Sequence, residues 1–421
     1  MKKITCWLLA FSLFAGIFAG NPVFAAEAEE NAPITLSEYA GETAEQHRSA
    51  FTYYDNVPSF LIGDPVSGKV VLEKGSDIAG GIASMTKMMT YYIVKEDIAA
   101  GKYALTDSVT ISSHAASMNE AGFSNYGLKV GESYSVEKLL LGLMVVSGND
   151  AAIALAENAG GGSEQEFVAR MNRTAVELGM TKSHFINSSG ITENGEYNIS
   201  TARDMFLLAA NIVRKFPEVK DYSAIKRLDE PERSYSHASS YLDFIEKLPG
   251  TKGIKTGYTE EAGNCFTGLF EVKSTVDGSA FEIVTVVMGA AIKDARWRTT
   301  KELVDLAAGT YTNRIVVDAS VPVTRYEIPN GSEETVVLYP QRSYSTFTYA
   351  NRKFTVHYEI TPDIKAPTTL DTEYGKITVL QDGEVMDTIP IIAKDQTIRA
   401  GLFTRLQRAA SQIFIFVTSL F

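Results

Sequence analysis

The chain has little cysteine, two residues in 421. Cys6 falls in the first few positions and only Cys265 lies deep in the chain, so a disulfide framework is excluded and Cys265 reads as a small buried apolar side chain. Histidine is scarce as well. His47, His114, His184, His237 and His357 show no His-x-x-x-His spacing and no partner cysteines, which argues against a bound metal. Neither Gly-x-Gly-x-x-Gly nor Gly-x-x-x-x-Gly-Lys-Ser/Thr occurs, so a nucleotide cofactor finds no cradle and no cofactor is expected. Positive charge is in deficit too. With 39 basic against 51 acidic residues the net charge is -12, and the overall field repels nucleic acid.

What is present describes a globular chain of two or three domains. Hydrophobic residues make up 45% and charged residues 21%, enough for a sizeable core. Met1-Lys2-Lys3, an apolar stretch over 4–20 and small residues at Val23 and Ala25 have the three regions of a secretory signal, cut after Ala25. Residues 26–50 are acidic and small and read as a mobile lead-in. From 59 to 73 two apolar runs flank a Pro-Val-Ser-Gly turn, predicting a β-hairpin. Helical periodicity places an amphipathic helix over 84–96, opened by Ser84, and further helices at 136–146, 150–159, 163–178 and 201–214. Strands follow at 252–256, 264–273 and 280–291, the last two joined through Asp277-Gly278, and then a helix at 294–308. This order predicts one α+β domain over 51–312, an antiparallel sheet covered by helices. Short alternating strands at 335–338, 353–360, 376–380 and 384–392, the last pair turning at Asp382-Gly383, predict a small all-β domain over 313–397. On a helix, 398–421 collects Leu402, Phe403, Leu406, Ile413, Phe414 and Val417 on one side, with Arg399, Arg405 and Arg408 present and no acid after Asp395. Its uninterrupted apolar run is far below the roughly 20 residues of a bilayer span, so an amphipathic helix lying on an anionic membrane surface is expected.

Three short strings carry the chemistry: Ser84-Met85-Thr86-Lys87, Ser147-Gly148-Asn149 and Lys255-Thr256-Gly257. Each is weak alone. Ser135 to Lys138 and Ser223 to Lys226 also match Ser-x-x-Lys, and Ser117 to Asn119 matches Ser-x-Asn. Setting favours the first set, because Lys255 lies on a predicted strand and Ser84 opens a helix on which Lys87 stands one turn above it. A serine hydroxyl attacks only after losing its proton, and a lysine accepts that proton only if its pKa falls well below about 10.4. Burial and a neighbouring cation such as Lys255 push it down, and amides at the helix start suit an oxyanion. Acyl transfer is the reaction class this predicts. Ser147 and Asn149 occupy an interhelical turn, where they read either as a proton relay and amide holder or as a capping cluster without catalytic part.

In order and context these strings resemble the low-molecular-mass penicillin-binding proteins, serine-type D-alanyl-D-alanine carboxypeptidases. Ala83 to Thr90, Gly142 to Ala152 and Gly253 to Tyr258 carry the likeness, with Asn187-Ser188-Ser189-Gly190 and Ser200 to Met205 beside them, across most of residues 58–400. The resemblance implies a penicillin-binding/β-lactamase-like α+β fold, a following β domain and an amphipathic tail. It implies that Ser84 attacks the carbonyl between two terminal D-alanines of a peptidoglycan stem peptide and Lys87 takes its proton. Ser147 and Asn149 would relay the proton and hold the substrate, and Lys255, Thr256 and Gly257 would engage its terminal carboxylate. The amide of Tyr258 would be the second oxyanion donor, at a position where relatives often carry His. Asn198-Ile199-Ser200 stands where the family more usually has His-Tyr-Ser. β-Lactams would be covalent inhibitors, and the protein would be exported to the outer face of the bacterial cytoplasmic membrane.

Rival readings meet specific objections. A class A β-lactamase needs a Glu-x-x-Leu-Asn element, and Glu166-Phe167-Val168-Ala169-Arg170 does not supply one. A non-catalytic peptidoglycan-binding or sensor protein has no use for an activated hydroxyl. A D,D-endopeptidase cutting crosslinks would share all three strings.

Overall fold

Three strands are apolar at odd and even positions alike, the pattern of strands buried on both faces. In the computed structural model, which describes residues 33–38, 43–119, 123–370 and 372–418, they form the middle of a six-stranded sheet. Its order is Ser37–Glu38, Lys69–Lys74, Ser59–Gly63, Ala280–Ala290, Gly263–Lys273, Thr251–Thr259, antiparallel except at the first pair. The strand period of two sorts the side chains. Cys265 and Leu269 face one core with Leu61, Val284, Val286 and Met288, whereas Phe266 and Phe270 face a second core with Phe60, Ile62 and Ile283. The first core is capped by the helices Lys87–Ala99, Val136–Met144, Asn149–Ala159, Glu164–Glu177 and Ala202–Lys215, and the second by Lys293–Thr310 and Leu242–Lys247. The expected helices, hairpin and sheet strands are therefore present.

Four expectations need correction. The helix after Ser84 is not amphipathic, because Lys87 through Lys95 are all buried between the sheet and the other helices. Its α-helical part starts at Lys87, preceded by a 3-10 turn Ala83–Thr86 with Ala83 at φ +45°. The described part of the lead-in is held rather than mobile: Ile34 is buried, its amide donates to Asn211 Oδ1 at 3.1 Å, and Ser37–Glu38 adds a parallel strand beside Lys69–Lys74. Backbone pairing at an open sheet edge does not depend on side-chain composition, which is why acidity misled there. Asp277-Gly278 ends a loop closed by the Ser274 amide on Ser279 O at 2.8 Å. The expected leader, 1–25, lies outside the described residues.

The boundary expected between 312 and 313 falls inside a strand, Tyr311–Val317, which pairs with Tyr344–Tyr349. Tyr311, Phe347 and Tyr349 join the second core of the preceding domain, so this ribbon fastens the two parts together. Beyond it a five-stranded antiparallel sheet encloses its own core around Leu338, Ile377, Val379, Ile389 and Ile391. Asp382 at φ +52° and Gly383 at φ +92° make the tight turn their types predicted. The closing helix, Leu402–Thr418, is tethered to this sheet by Arg408, which donates to Gly331 O at 2.8 Å and Ser332 O at 2.9 Å and pairs with Glu334. Leu402, Phe403 and Leu406 project into solvent. No described helix is long and apolar enough to cross a membrane.

Candidate active site

A 3-10 turn eclipses residues three apart, so the Ala83–Thr86 turn sets Lys87 directly over Ser84. Lys87 Nζ lies 3.0 Å from Ser84 Oγ, 2.6 Å from Asn149 Oδ1 and 2.6 Å from the carbonyl oxygen of Ser189. The ammonium form would spend three hydrogens on these contacts. The neutral amine has two, which go to the two carbonyl-type oxygens, and its lone pair is then left facing the Ser84 hydroxyl. Lys87 is 0% exposed, and its pKa is held well below the usual lysine range first by burial, then by the charge of Lys255, with buried Asp150 opposing. The neutral form is thus the one this environment favours.

Lys255 stands opposite, also 0% exposed, donating to Ser147 Oγ at 2.8 Å and to Thr256 O at 3.1 Å. Burial, and after it the Arg296 guanidinium, bring its pKa down to about 7. Ser147 adopts φ +65°, which turns its hydroxyl off the end of the helix Val136–Met144 and towards Lys255. Asn149 opens the next helix, and Asp150 fixes that corner by accepting from the amides of Tyr126 at 2.8 Å and Leu128 at 3.0 Å. Thr256 Oγ1 donates to Ser240 O at 3.2 Å. At Gly257 the strand runs so close to the 3-10 turn that a Cβ would sit 2.6 Å from Ile82 O. Tyr258, next along the strand, has an exposed side chain.

The structure brings Ser84, Lys87 and Asn149 into one hydrogen-bonded group and Ser147 and Lys255 into a second, close enough that the Lys255 charge acts on Lys87, with Thr256 and Gly257 along the edge. Two of the competing strings are engaged elsewhere. Ser135 caps a helix by accepting from the Lys138 amide at 3.2 Å, while Ser117 Oγ donates to His114 O. Cys265 is buried and free, its thiol pushed up to about 11 by burial, in keeping with the apolar reading.

Four contributors were missed from sequence. Ser189 acts through a carbonyl, which every residue has, so its type carries no signal. Asn198 is a buried brace: Nδ2 donates to Thr86 Oγ1 at 2.8 Å and Asn187 O at 3.0 Å, and Oδ1 accepts from the Ile186 amide at 2.7 Å. That amide ties the Asn187–Gly190 loop to the nucleophile turn, a job two-sided enough to explain an amide at the departure noted at this position. Gly190, at φ +88°, lets the loop approach, since a Cβ there would lie 1.9 Å from Ala83 O. Arg296, in the first turn of Lys293–Thr310, adds a second positive charge beside Lys255.

Comparison with known proteins identifies the family. Residues 52–292 match the peptidase family S11, described as D-alanyl-D-alanine carboxypeptidase, and 311–397 match the C-terminal domain of penicillin-binding protein 5. The D-alanyl-D-alanine carboxypeptidase DacF of Bacillus subtilis is 33% identical over 353 residues, 81% of this chain and 86% of its own. The crystal structure of a peptidoglycan synthesis regulatory factor, PBP3 of Streptococcus pneumoniae, superposes with a TM-score of 0.65 at 25% identity, covering 81% of this chain and 99% of that one. Penicillin-binding protein D2 of Listeria monocytogenes, solved with cefotaxime bound, gives 0.52 at 25% identity over 60% of this chain and 96% of that one. The chain belongs to peptidase family S11, the D-alanyl-D-alanine carboxypeptidases.

Proposed function

We propose that this chain, a D-alanyl-D-alanine carboxypeptidase acting on peptidoglycan, performs its reaction with the cluster above. Neutral Lys87 takes the proton of Ser84, and the freed oxygen attacks the carbonyl between two terminal D-alanines of a stem peptide. The amides of Ser84 and Tyr258 receive the negative charge that develops on the carbonyl oxygen. As the C–N bond breaks, Ser147 passes a proton to the leaving amine and is resupplied by the lysines, so free D-alanine departs and an ester on Ser84 remains. Asn149 holds the peptide amide, while cationic Lys255 and the Thr256 hydroxyl, with Gly257 clearing the approach, receive the terminal carboxylate. Water then attacks the ester and returns Ser84. A β-lactam acylates the same oxygen by opening its ring. The carrying observation is a fully buried amine nitrogen 3.0 Å from the serine hydroxyl oxygen.

The test is release of free D-alanine from a pentapeptide ending in two D-alanines, with Ser84→Ala expected to abolish both release and labelling by fluorescent penicillin. Persistent release by the variant, or label on Ser135 or Ser223, removes the assignment. Mass spectrometry of digested wall fragments separates stem trimming from crosslink cleavage.

The site of action is read as the outer face of the cytoplasmic membrane, reached through the leader at 1–25 and held by the closing helix. Supporting this are the exposed Leu402, Phe403 and Leu406 and the nearby Arg405. Deleting 399–421 is expected to release the protein from anionic vesicles with activity retained; unchanged binding would contradict the anchor.

A further inference from the structure

The Ser189 carbonyl oxygen accepts from Lys87 Nζ at 2.6 Å, yet it belongs to a loop with no regular structure of its own. Something must keep it in register. Its neighbour Ser188 is fully buried and held at three points. On the cleft side, Thr90 Oγ1, one helical turn beyond Lys87, donates to Ser188 O at 2.7 Å. On the far side, the Ser188 amide and hydroxyl both donate to a single oxygen, Glu164 Oε1, at 2.9 and 2.6 Å. Glu164 sits in the first turn of Glu164–Glu177, where the helix end favours a carboxylate, and its side chain is 13% exposed. The charged groups around it are His114, with Nδ1 3.7 Å from Glu164 Oε2, Glu157, which His114 also approaches at 3.4 Å, and Glu193, whose pKa is raised by burial and then by the Glu164 charge.

We propose that Glu164 is a positioning residue for the general base: by gripping Ser188 from outside the cleft it fixes the Ser189 carbonyl, and through it the direction of the Lys87 lone pair. The inference rests on the assignment of Lys87 as base. With the carbonyl displaced, a neutral amine keeps one acceptor, Asn149, and is free to rotate its lone pair away from Ser84. Displacing that acceptor also withdraws a feature that favours the ammonium form.

The experiment compares Glu164→Ala and Glu164→Gln in the whole protein, measuring the penicillin acylation rate constant, the non-covalent dissociation constant and the active-site titre across pH. Glu164→Ala is expected to acylate about tenfold more slowly per active site, a typical cost of a misplaced general base. Its non-covalent affinity should be unchanged and the acid limb of its rate profile should move to lower pH. Glu164→Gln retains an oxygen able to accept both Ser188 bonds and should restore most of the rate. Wild-type rate and limb in Glu164→Ala, or Glu164→Gln as slow as the alanine variant, overturns the proposal. If Glu164→Ala does not fold, Ser188→Ala, which removes the hydroxyl bond alone, should slow acylation and move the limb in the same sense; no change in either refutes it. Failure of the wild-type enzyme to label at Ser84 would instead sink the base assignment itself.

Discussion

Replacing Lys255 with methionine should make this protein more stable and inactive. Lys255 is completely enclosed, and a fall in its pKa from 10.5 to about 7 means the folded state disfavours the charged amine. At about 1.4 kcal/mol per unit, the penalty below pH 7 is on the order of 5 kcal/mol. The sign follows from proton counting. Between about pH 7 and 10.5 the unfolded chain binds more protons at this residue than the folded one, so the penalty is complete below 7 and is relieved as pH rises towards 10.5. Methionine fills nearly the same volume without a charge. It forfeits the bonds to Ser147 Oγ and Thr256 O, each worth about 1 kcal/mol, so Lys255→Met should gain about 3 kcal/mol at pH 6. The gain should shrink by nearly as much, ~3 kcal/mol, by pH 9. Urea unfolding of both proteins at the two pH values measures it. A variant no more stable than wild type at pH 6, or a difference independent of pH, would refute the claim that this cation is held at a cost for function.

Three further outcomes follow from the same geometry. In the free enzyme, kcat/KM for an anionic stem peptide should fall with an alkaline limb near 7 as Lys255 loses its proton, whereas the limb in kcat should lie higher because the bound carboxylate favours the cation; stopped-time assays of D-alanine release across pH check this. Asn198→Ala should destabilise by about 2 to 3 kcal/mol and slow acylation, since it strands the buried Asn187 amide and the part-buried Ile186 amide and frees the loop, measurable by denaturant titration and penicillin labelling. Gly190→Ala should destabilise more than Gly195→Ala, for only the former drives a Cβ into backbone, and paired melting curves decide it.

Much of the fold was legible because the deciding forces are local and periodic. Continuous apolar runs placed the sheet strands and three-to-four-residue apolar spacings most helices, and the Asp382-Gly383 turn needed only two residue types that tolerate positive φ. Where a segment carries no such rhythm the reading failed. Tyr311–Val317 contains Thr312, Asn313 and Arg314 and pairs through its backbone, and the hairpin Arg227–Glu230 with Tyr235–Ala238 is mostly polar.

The candidate site divides in the same way. The residues proposed as nucleophile, base and carboxylate-binding cation were readable from residue types at fixed spacings, because Ser84 and Lys87 meet within one helical turn and the two other strings follow in a recognisable order. The sequence by itself thus determined which chemistry was available. Only the tertiary structure decided that Lys87 is sealed from water and that its nitrogen lies 2.6 Å from both Asn149 Oδ1 and the Ser189 carbonyl oxygen. It also assigned bracing to Asn198 and Glu164, and set Arg296 beside Lys255. Those contacts join residues far apart in the chain, several through main-chain oxygens common to all residues. Burial on every side is a property of the packed assembly, which no single stretch of the chain encodes.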